Sequence, residues 1–282
     1  MSTKDRIAFQ GELGANSHEA CAAAYPELEP APYPTFEEAF EAVKKGDCKL
    51  GMIPVENSIA GRVADVHHLL PNSGLKIVGE RFKPIHFQLM VNPGVTLEEV
   101  KTVSSMPIAL AQCRKAIRRM KLKTEAVGDT AGAARILSQT PDRTKAAISP
   151  ALAAEIYGLD ILVRDMEDEH HNTTRFLVMT AEKDPPPPPF TQPCITSFVF
   201  RVRNLPAALY KAMGGFATNG VNISKLESYM ENGAWTATFF YAEADGRPED
   251  RGLALAFEEL SFFAEKFEIL GVYSADPFRT RG

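Results

Sequence analysis

The chain has little cysteine and no paired cysteine motif: Cys21, Cys48, Cys113 and Cys194 lie far apart, with no CxxC spacing. That argues against structural zinc and a disulfide framework, and makes reduced thiols the expectation. A basic tract is missing too, since 31 Lys and Arg stand against 36 Asp and Glu, a formal charge of −5. The most basic stretch, RKAIRRMKLK from Arg114 to Lys123, fits a solvated helix face, so no nucleic-acid partner is expected. No apolar run could span a bilayer, and the opening MSTKDRIAFQGELG has no signal-peptide core. No membrane partner is therefore expected, and the expected location is cytoplasmic. His67-His68 and His170-His171 are adjacent pairs without the i, i+4 spacing of a helical metal site. Neither a metal nor a cofactor is expected.

What is present divides into two parts. The run AEKDPPPPPFTQP, with five consecutive prolines at 185–189, cannot continue a helix or donate to a ladder and reads as a stiff spacer. Upstream, apolar runs (RIAFQG, KLGMIPV, LKIVGERF, HFQLMV, TEAVG, KAAIS, DILVRD) alternate with helical patterns. The alternation predicts an α/β fold with mostly parallel sheets and helices on both faces. Thr35 with Glu38 has capping-box spacing and Gly46 closes that helix. Two long segments, Leu75–Val91 and TTRFLVM, are placed to cross between lobes, which gives a cleft. The expected division is 1–180 for a two-lobed domain (lobe one 1–80 and 172–180, lobe two 81–171), 181–194 for a linker and 195–282 for a second domain. Downstream, CITSFVFRVRN through FEILGVYS spells βαββαβ, the ferredoxin-like pattern.

Four polar clusters fall at loop positions of the first domain. In FQGELGANSHEA a strand ends in glycines and a helix begins near Asn16 and Ser17, where freed N–H groups suit an anion or simply a capped turn. In PVENSIAG, Glu56, Asn57 and Ser58 follow a buried strand at the end where open α/β sheets bind ligands. In GDTAGAA, Asp129 or Thr130 caps a helix of small residues. In HHNTTRF two threonines and Arg175 stand before a buried strand; the plain alternative is a loop with Arg175 in a surface salt bridge. The set offers hydroxyls, amides, helix starts and one cation, without a P-loop, a Ser-His-Asp arrangement or a metal cage. It suits an anionic substrate that carries its own driving force.

Together PVENSIAG, ALAQC (Ala109 to Cys113), YGLDIL (Tyr157 to Leu162) and NTTRF resemble the bacterial prephenate dehydratases. The segment LPAALYKAMGGFATNGVNISKLES resembles the ACT regulatory domain that follows in that family, and the resemblance covers about residues 6 to 275. It implies two catalytic lobes like those of periplasmic binding proteins, and loss of carbon dioxide and water from prephenate to give phenylpyruvate. It also implies that Thr174 protonates the leaving hydroxyl. Asn172 and Arg175 orient substrate or loop, Glu56, Asn57 and Ser58 line the opposite wall, and Asn16, Ser17, Thr130, Thr173 and Phe176 complete the substrate set. The implied effector is L-phenylalanine, held by Asn204, Leu205, Pro206, Ala207, Ala208, Leu209, Asn222, Glu227 and Ser228 in a homodimer or homotetramer. Met106 and Ile108 stand where the family often has histidine and glutamine. PAAL (Pro206 to Leu209) replaces the usual PGAL, and ESYM (Glu227 to Met230) replaces ESRP, with Tyr229 and Met230 offering apolar surface to a phenyl ring. Arogenate is the alternative substrate. A non-catalytic amino-acid sensor, a bilobal binding domain fused to a sensing module, is the rival of another class.

Overall fold

The computed structural model describes residues 5–169, 171–189, 192–230 and 237–280. His170, one member of the second histidine pair, lies outside the described residues. In chain order the first elements are β1 (Arg6–Gln10), α1 (Asn16–Ala24), β2 (Glu29–Tyr33), α2 (Phe36–Lys45), β3 (Leu50–Asn57), β4 (Gly61–Arg62), α3 (Ala64–Leu69) and β5 (Lys76–Pro84). There follow β6 (Gln88–Val91), β7 (Thr102–Ser105), α4 (Pro107–Gln112), α5 (Arg114–Arg119), β8 (Lys123–Ala126), α6 (Thr130–Gln139), β9 (Lys145–Ser149), α7 (Ala151–Tyr157), β10 (Asp160–Val163) and β11 (Thr173–Thr180). The last are β12 (Cys194–Val202), α8 (Ala208–Thr218), β13 (Ile223–Met230), β14 (Ala237–Asp245), α9 (Arg251–Phe263) and β15 (Ala264–Ser274).

The first sheet runs β2-β1-β3-β11-β5, with β1 parallel to both β2 and β3. The strand β2, EPAPY, carries two prolines, and it escapes a pattern reading for that reason. It survives because it lies at the sheet edge, where a missing N–H costs no ladder bond. The helix α2 is legible from both ends. The Thr35 hydroxyl accepts from the N–H of Glu38 at 3.2 Å, and Gly46 closes the last turn at φ 80°.

The second sheet runs β10-β6-β9-β7-β8. Here β7 is parallel to β8 and β9, whereas β6 is antiparallel to both β9 and β10. The mixture follows from β6 entering directly from the long β5 crossing without a helical return to reset its direction. Its core is aliphatic, with Leu89, Val91, Val103, Ile117 and Ile148 buried together. In a second cluster against this sheet, small side chains (Ala131, Ala134, Ala147, Ala153) let α6 and α7 lie close to it.

The third sheet, β13-β14-β12-β15, is antiparallel throughout, with α8 and α9 supplying the βαββαβ order. Its core is aromatic. Phe198 meets Phe257 edge-on at 5.1 Å, and Phe200 stacks on Phe240 at 5.2 Å.

Two compact units emerge, 1–66 with 81–176 and 67–80 with 177–282, so the division does not follow the proline run. The chain passes from one to the other inside α3 and inside strands β5 and β11. A strand cannot be cut at a hydrogen-bonded ladder as a proline spacer can, so β11 carries Thr173–Phe176 in one unit and Leu177–Thr180 in the other. No helix among the described residues is long and apolar enough to cross a membrane.

Candidate active site

Period-two alternation along β11 decides what NTTRF presents. Thr173, Arg175 and Phe176 are buried, and Thr174 is half-buried with its side chain on the opposite face from its two neighbours. The adjoining strand β3 ends in Glu56 and Asn57, so these residues stand beside the threonines. They do not form the opposite wall of a cleft, as expected, because β3 and β11 are neighbours in one sheet.

Asn57 organises the group. Its Nδ2 donates to Asn172 Oδ1 at 2.8 Å and to Thr174 Oγ1 at 3.0 Å, with Thr173 O at 3.3 Å. Its Oδ1 accepts from the N–H groups of Ile59 and Ala60 at 3.0 and 2.8 Å, which fixes the turn after β3. The consequence for Thr174 is directional. Because Asn57 donates a hydrogen bond to its oxygen, the threonine is an acceptor inside the protein and keeps its own O–H proton for a ligand.

Ser58 was expected as a catalytic residue facing substrate. Its hydroxyl instead donates to His171 O at 2.8 Å and accepts from the N–H of Thr173 at 2.9 Å. Its own N–H donates to Thr173 O at 2.9 Å. It pins the start of β11 to the turn after β3, so its donor capacity is spent.

Gln112 was missed. It ends α4, and its Oε1 accepts from Asn172 Nδ2 at 3.2 Å. That bond forces Asn172 to turn its carbonyl toward Asn57, so a chain of amides runs Gln112, Asn172, Asn57, Thr174. ALAQC carried the residue in plain view, but nothing in a helical pattern marks its last turn as reaching a strand 60 residues on.

Arg175 is 4% exposed, which removes the surface salt-bridge reading. Its Nη1 lies 3.7 Å from Glu56 Oε2 and its guanidinium sits 5.8 Å over the Phe82 ring. Phe176 is 1% exposed and fills the core beneath the strand, so packing accounts for it better than substrate contact.

The other expected contacts lie where the starts of α1 and α6 approach α7. The helix α1 starts at Asn16 with no side-chain cap from Ala15, and Ser17 is buried. Of the two candidate caps for α6 it is Asp129 that serves, accepting from the N–H of Gly132 at 2.8 Å, while Thr130 is buried in the first turn. Burial pushes the Asp129 carboxyl above its ordinary range, against the opposing hydrogen bond from Gly132. Beside it a cavity of about 590 Å³ opens between Gln10–Leu13, Pro32–Pro34 and Tyr157. The Arg135 guanidinium crosses its edge to Glu12 at 2.5 and 2.9 Å.

A side-chain group with metal-ligand types, unforeseen in the sequence, is His86, Asp165 and Glu167. Its carboxylates are already engaged: Glu167 accepts from the Phe87 N–H at 2.9 Å and lies 2.7 Å from His86 Nδ1.

In the C-terminal unit, the loop from Asn204 to Ala207 is exposed, and Leu205, Pro206 and Ala208 line a cavity of about 280 Å³ with Arg203, Lys211, Phe262 and Phe263. Ala207 sits at φ 61°, the left-handed region where its usual glycine is at ease. Asn222 is tied to Asp245 at 2.8 Å, and Glu227 to Lys225 at 3.3 Å, both away from that cavity's lining. Tyr229 does not offer a face to a ligand. It is buried with its hydroxyl 3.0 Å from His67 Nδ1, because alternation on β13 turns it inward, while Met230 is 60% exposed.

The prephenate dehydratase family model matches residues 7–184. A bifunctional N-acyl-homoserine lactone acylase/prephenate dehydratase of Komagataeibacter europaeus is 47% identical over the whole of both chains. Arogenate dehydratase 2 of Petunia hybrida is 35% identical across 96% of this chain and 72% of its own. The crystal structure of an Arthrobacter aurescens prephenate dehydratase in complex with L-Phe, 29% identical, superposes with a TM-score of 0.87 over 96% of this chain and 90% of that one. The family model spans more than half of the chain and the relatives cover nearly all of it, and the chain belongs to the prephenate dehydratase family.

Proposed function

We propose that the protein converts prephenate to phenylpyruvate, with Thr174 as general acid and L-phenylalanine as feedback effector. The observation that carries the reading is the bond from Asn57 Nδ2 to Thr174 Oγ1 at 3.0 Å, which leaves the threonine proton free to leave. In the reaction the bond between the ring and its carboxylate breaks and its electron pair enters the ring. The ring hydroxyl departs with a proton as water, and carbon dioxide is released. The balance is prephenate dianion plus one proton to phenylpyruvate anion, carbon dioxide and water. Aromatisation supplies the driving force, so the protein needs an oriented donor and anion-binding groups, and no strong base. Arg175 and the start of α1 are the groups suited to the two carboxylates.

The exposed loop Asn204–Ala207 and the edge strand β13 support a regulatory ACT role for 195–282. An edge strand calls for pairing, which fits a homodimer or homotetramer. Arogenate remains the alternative substrate, supported by the arogenate dehydratase relative. A second reading, amide hydrolysis of N-acyl-homoserine lactones, is favoured by the full-length relative named for both activities. The test is turnover of prephenate, arogenate and an N-acyl-homoserine lactone side by side, with and without phenylalanine. Phenylpyruvate absorbance from prephenate, suppressed by phenylalanine, supports the reading; acyl release alone replaces it.

A further inference from the structure

Two buried polar atoms have no hydrogen-bond partner among the described residues and stand at the same junction. Ser149 is fully buried and its Oγ is unpaired; Asn16 Oδ1 is buried and unpaired as well. Ser149 ends β9 just before α7, and Asn16 is the first residue of α1. The first turns of these two helices are packed on each other. A Cβ at Gly14 would lie 2.7 Å from Ala153 Cα, Ala15 shares a buried cluster with Ala153, and the Leu152 N–H donates to Glu19 Oε1 at 3.2 Å. The neighbouring parallel strand supplies a control. Ser105 ends β7 in the same way, but its hydroxyl donates to Ile148 O at 2.7 Å.

A buried hydroxyl left without a partner is destabilising and rare in native interiors. Nothing in packing requires it here, since alanine would fill nearly the same volume. Ligands of open α/β sheets sit at the carboxyl ends of the strands, where Ser149 stands. We infer that Ser149 is a substrate-binding residue contributed by lobe two, donating to a substrate carboxylate while Asn16 Oδ1 accepts an O–H or N–H from the same molecule. The inference rests on the dehydratase reading and adds to it a residue that supplies the second lobe's contact. Serine can donate and accept, whereas the Asn16 oxygen only accepts, so the pair suits a ligand carrying an anionic oxygen and a hydroxyl or ammonium group.

The experiment is Ser149→Ala in the full-length protein, with Ser105→Ala beside it. Losing a hydrogen bond to a carboxylate lowers kcat/KM for prephenate by about 10- to 100-fold, mostly through KM. The melting temperature of Ser149→Ala stays level or rises, because an unpaired group has been removed. Ser105→Ala lowers it, since a made bond to the Ile148 carbonyl is lost. Wild-type kcat/KM in Ser149→Ala overturns the inference, and so does a melting temperature lowered as far as in Ser105→Ala, which marks a structural hydroxyl. Calorimetry of prephenate binding to Thr174→Val, with and without Ser149→Ala, separates the two claims. Failure of the unaltered protein to turn over prephenate sinks the dehydratase reading. Equal affinity in the two variants, or no binding in either, sinks the Ser149 contact.

Discussion

The Thr174 neighbourhood and the buried charges of the C-terminal unit bury polar groups in opposite ways. Around Thr174 the groups are neutral: three amides and a hydroxyl in series, ending in a proton that the protein does not use. In the C-terminal unit they are ions. Glu80 and Glu243 are both fully buried, and Arg279 reaches Glu80 at 2.6 and 2.9 Å and Glu243 at 2.9 Å. Tyr241 adds a hydrogen bond to Glu243 at 2.6 Å, and the Asp276 N–H one to Glu80 at 2.9 Å. Neutral bonds of about 1 kcal/mol each hold geometry while leaving a reacting proton available. Ions buried together are costly to separate and leave nothing free, which suits a fixed joint.

Breaking each end of that comparison gives the largest effects. Thr174→Val removes the free proton and should lower kcat by roughly 10²–10⁴ with the melting temperature unchanged, measured by phenylpyruvate formation. Thr173→Val should be milder, because its backbone makes the contacts. Arg279→Met takes a cation from two buried carboxylates and should cost about 3 kcal/mol in chemical denaturation, with kcat retained if the joint is purely structural. Gln112→Ala sharpens the contrast within the amide chain. It frees Asn172 to turn its amide, so kcat should fall about tenfold while stability changes by about 1 kcal/mol.

The smaller effects test local strain and charge. Ala207→Gly relieves a left-handed alanine and should raise stability by about 1 kcal/mol in denaturant titration. Asp129→Asn keeps the helix cap, as either side chain can accept from Gly132. The raised pKa of Asp129 means that the folded state holds its proton more tightly than the unfolded chain does. Its stabilising contribution is therefore complete below the ordinary aspartate pKa and is lost as pH rises through the raised one. Asp129→Asn should melt higher than the parent at neutral pH, with the gap closing as pH falls below the ordinary aspartate range; a gap that widens on acidification contradicts this.

Much of the architecture was legible from pattern. Alternating strand and helix, the capped α2 and the βαββαβ order of the last sheet are local properties, readable wherever periodicity and caps agree. Illegible elements had an identifiable cause. The edge strand β2 carries prolines that only its position excuses, and β6 runs antiparallel because of a crossing whose direction no local pattern records.

The sequence by itself determined which chemistry was on hand: hydroxyls, amides and one arginine at loop positions, and the NTTRF run before a strand. Tertiary structure decided how they are used. Pairing β3 beside β11 turned Asn57 toward Thr174 and spent the Ser58 hydroxyl on the backbone, and in the other sheet the packing around the end of β9 left the Ser149 hydroxyl without a partner among the described residues. The reason is that a hydrogen bond depends on distance and direction across strands, and spacing along the chain does not carry that information.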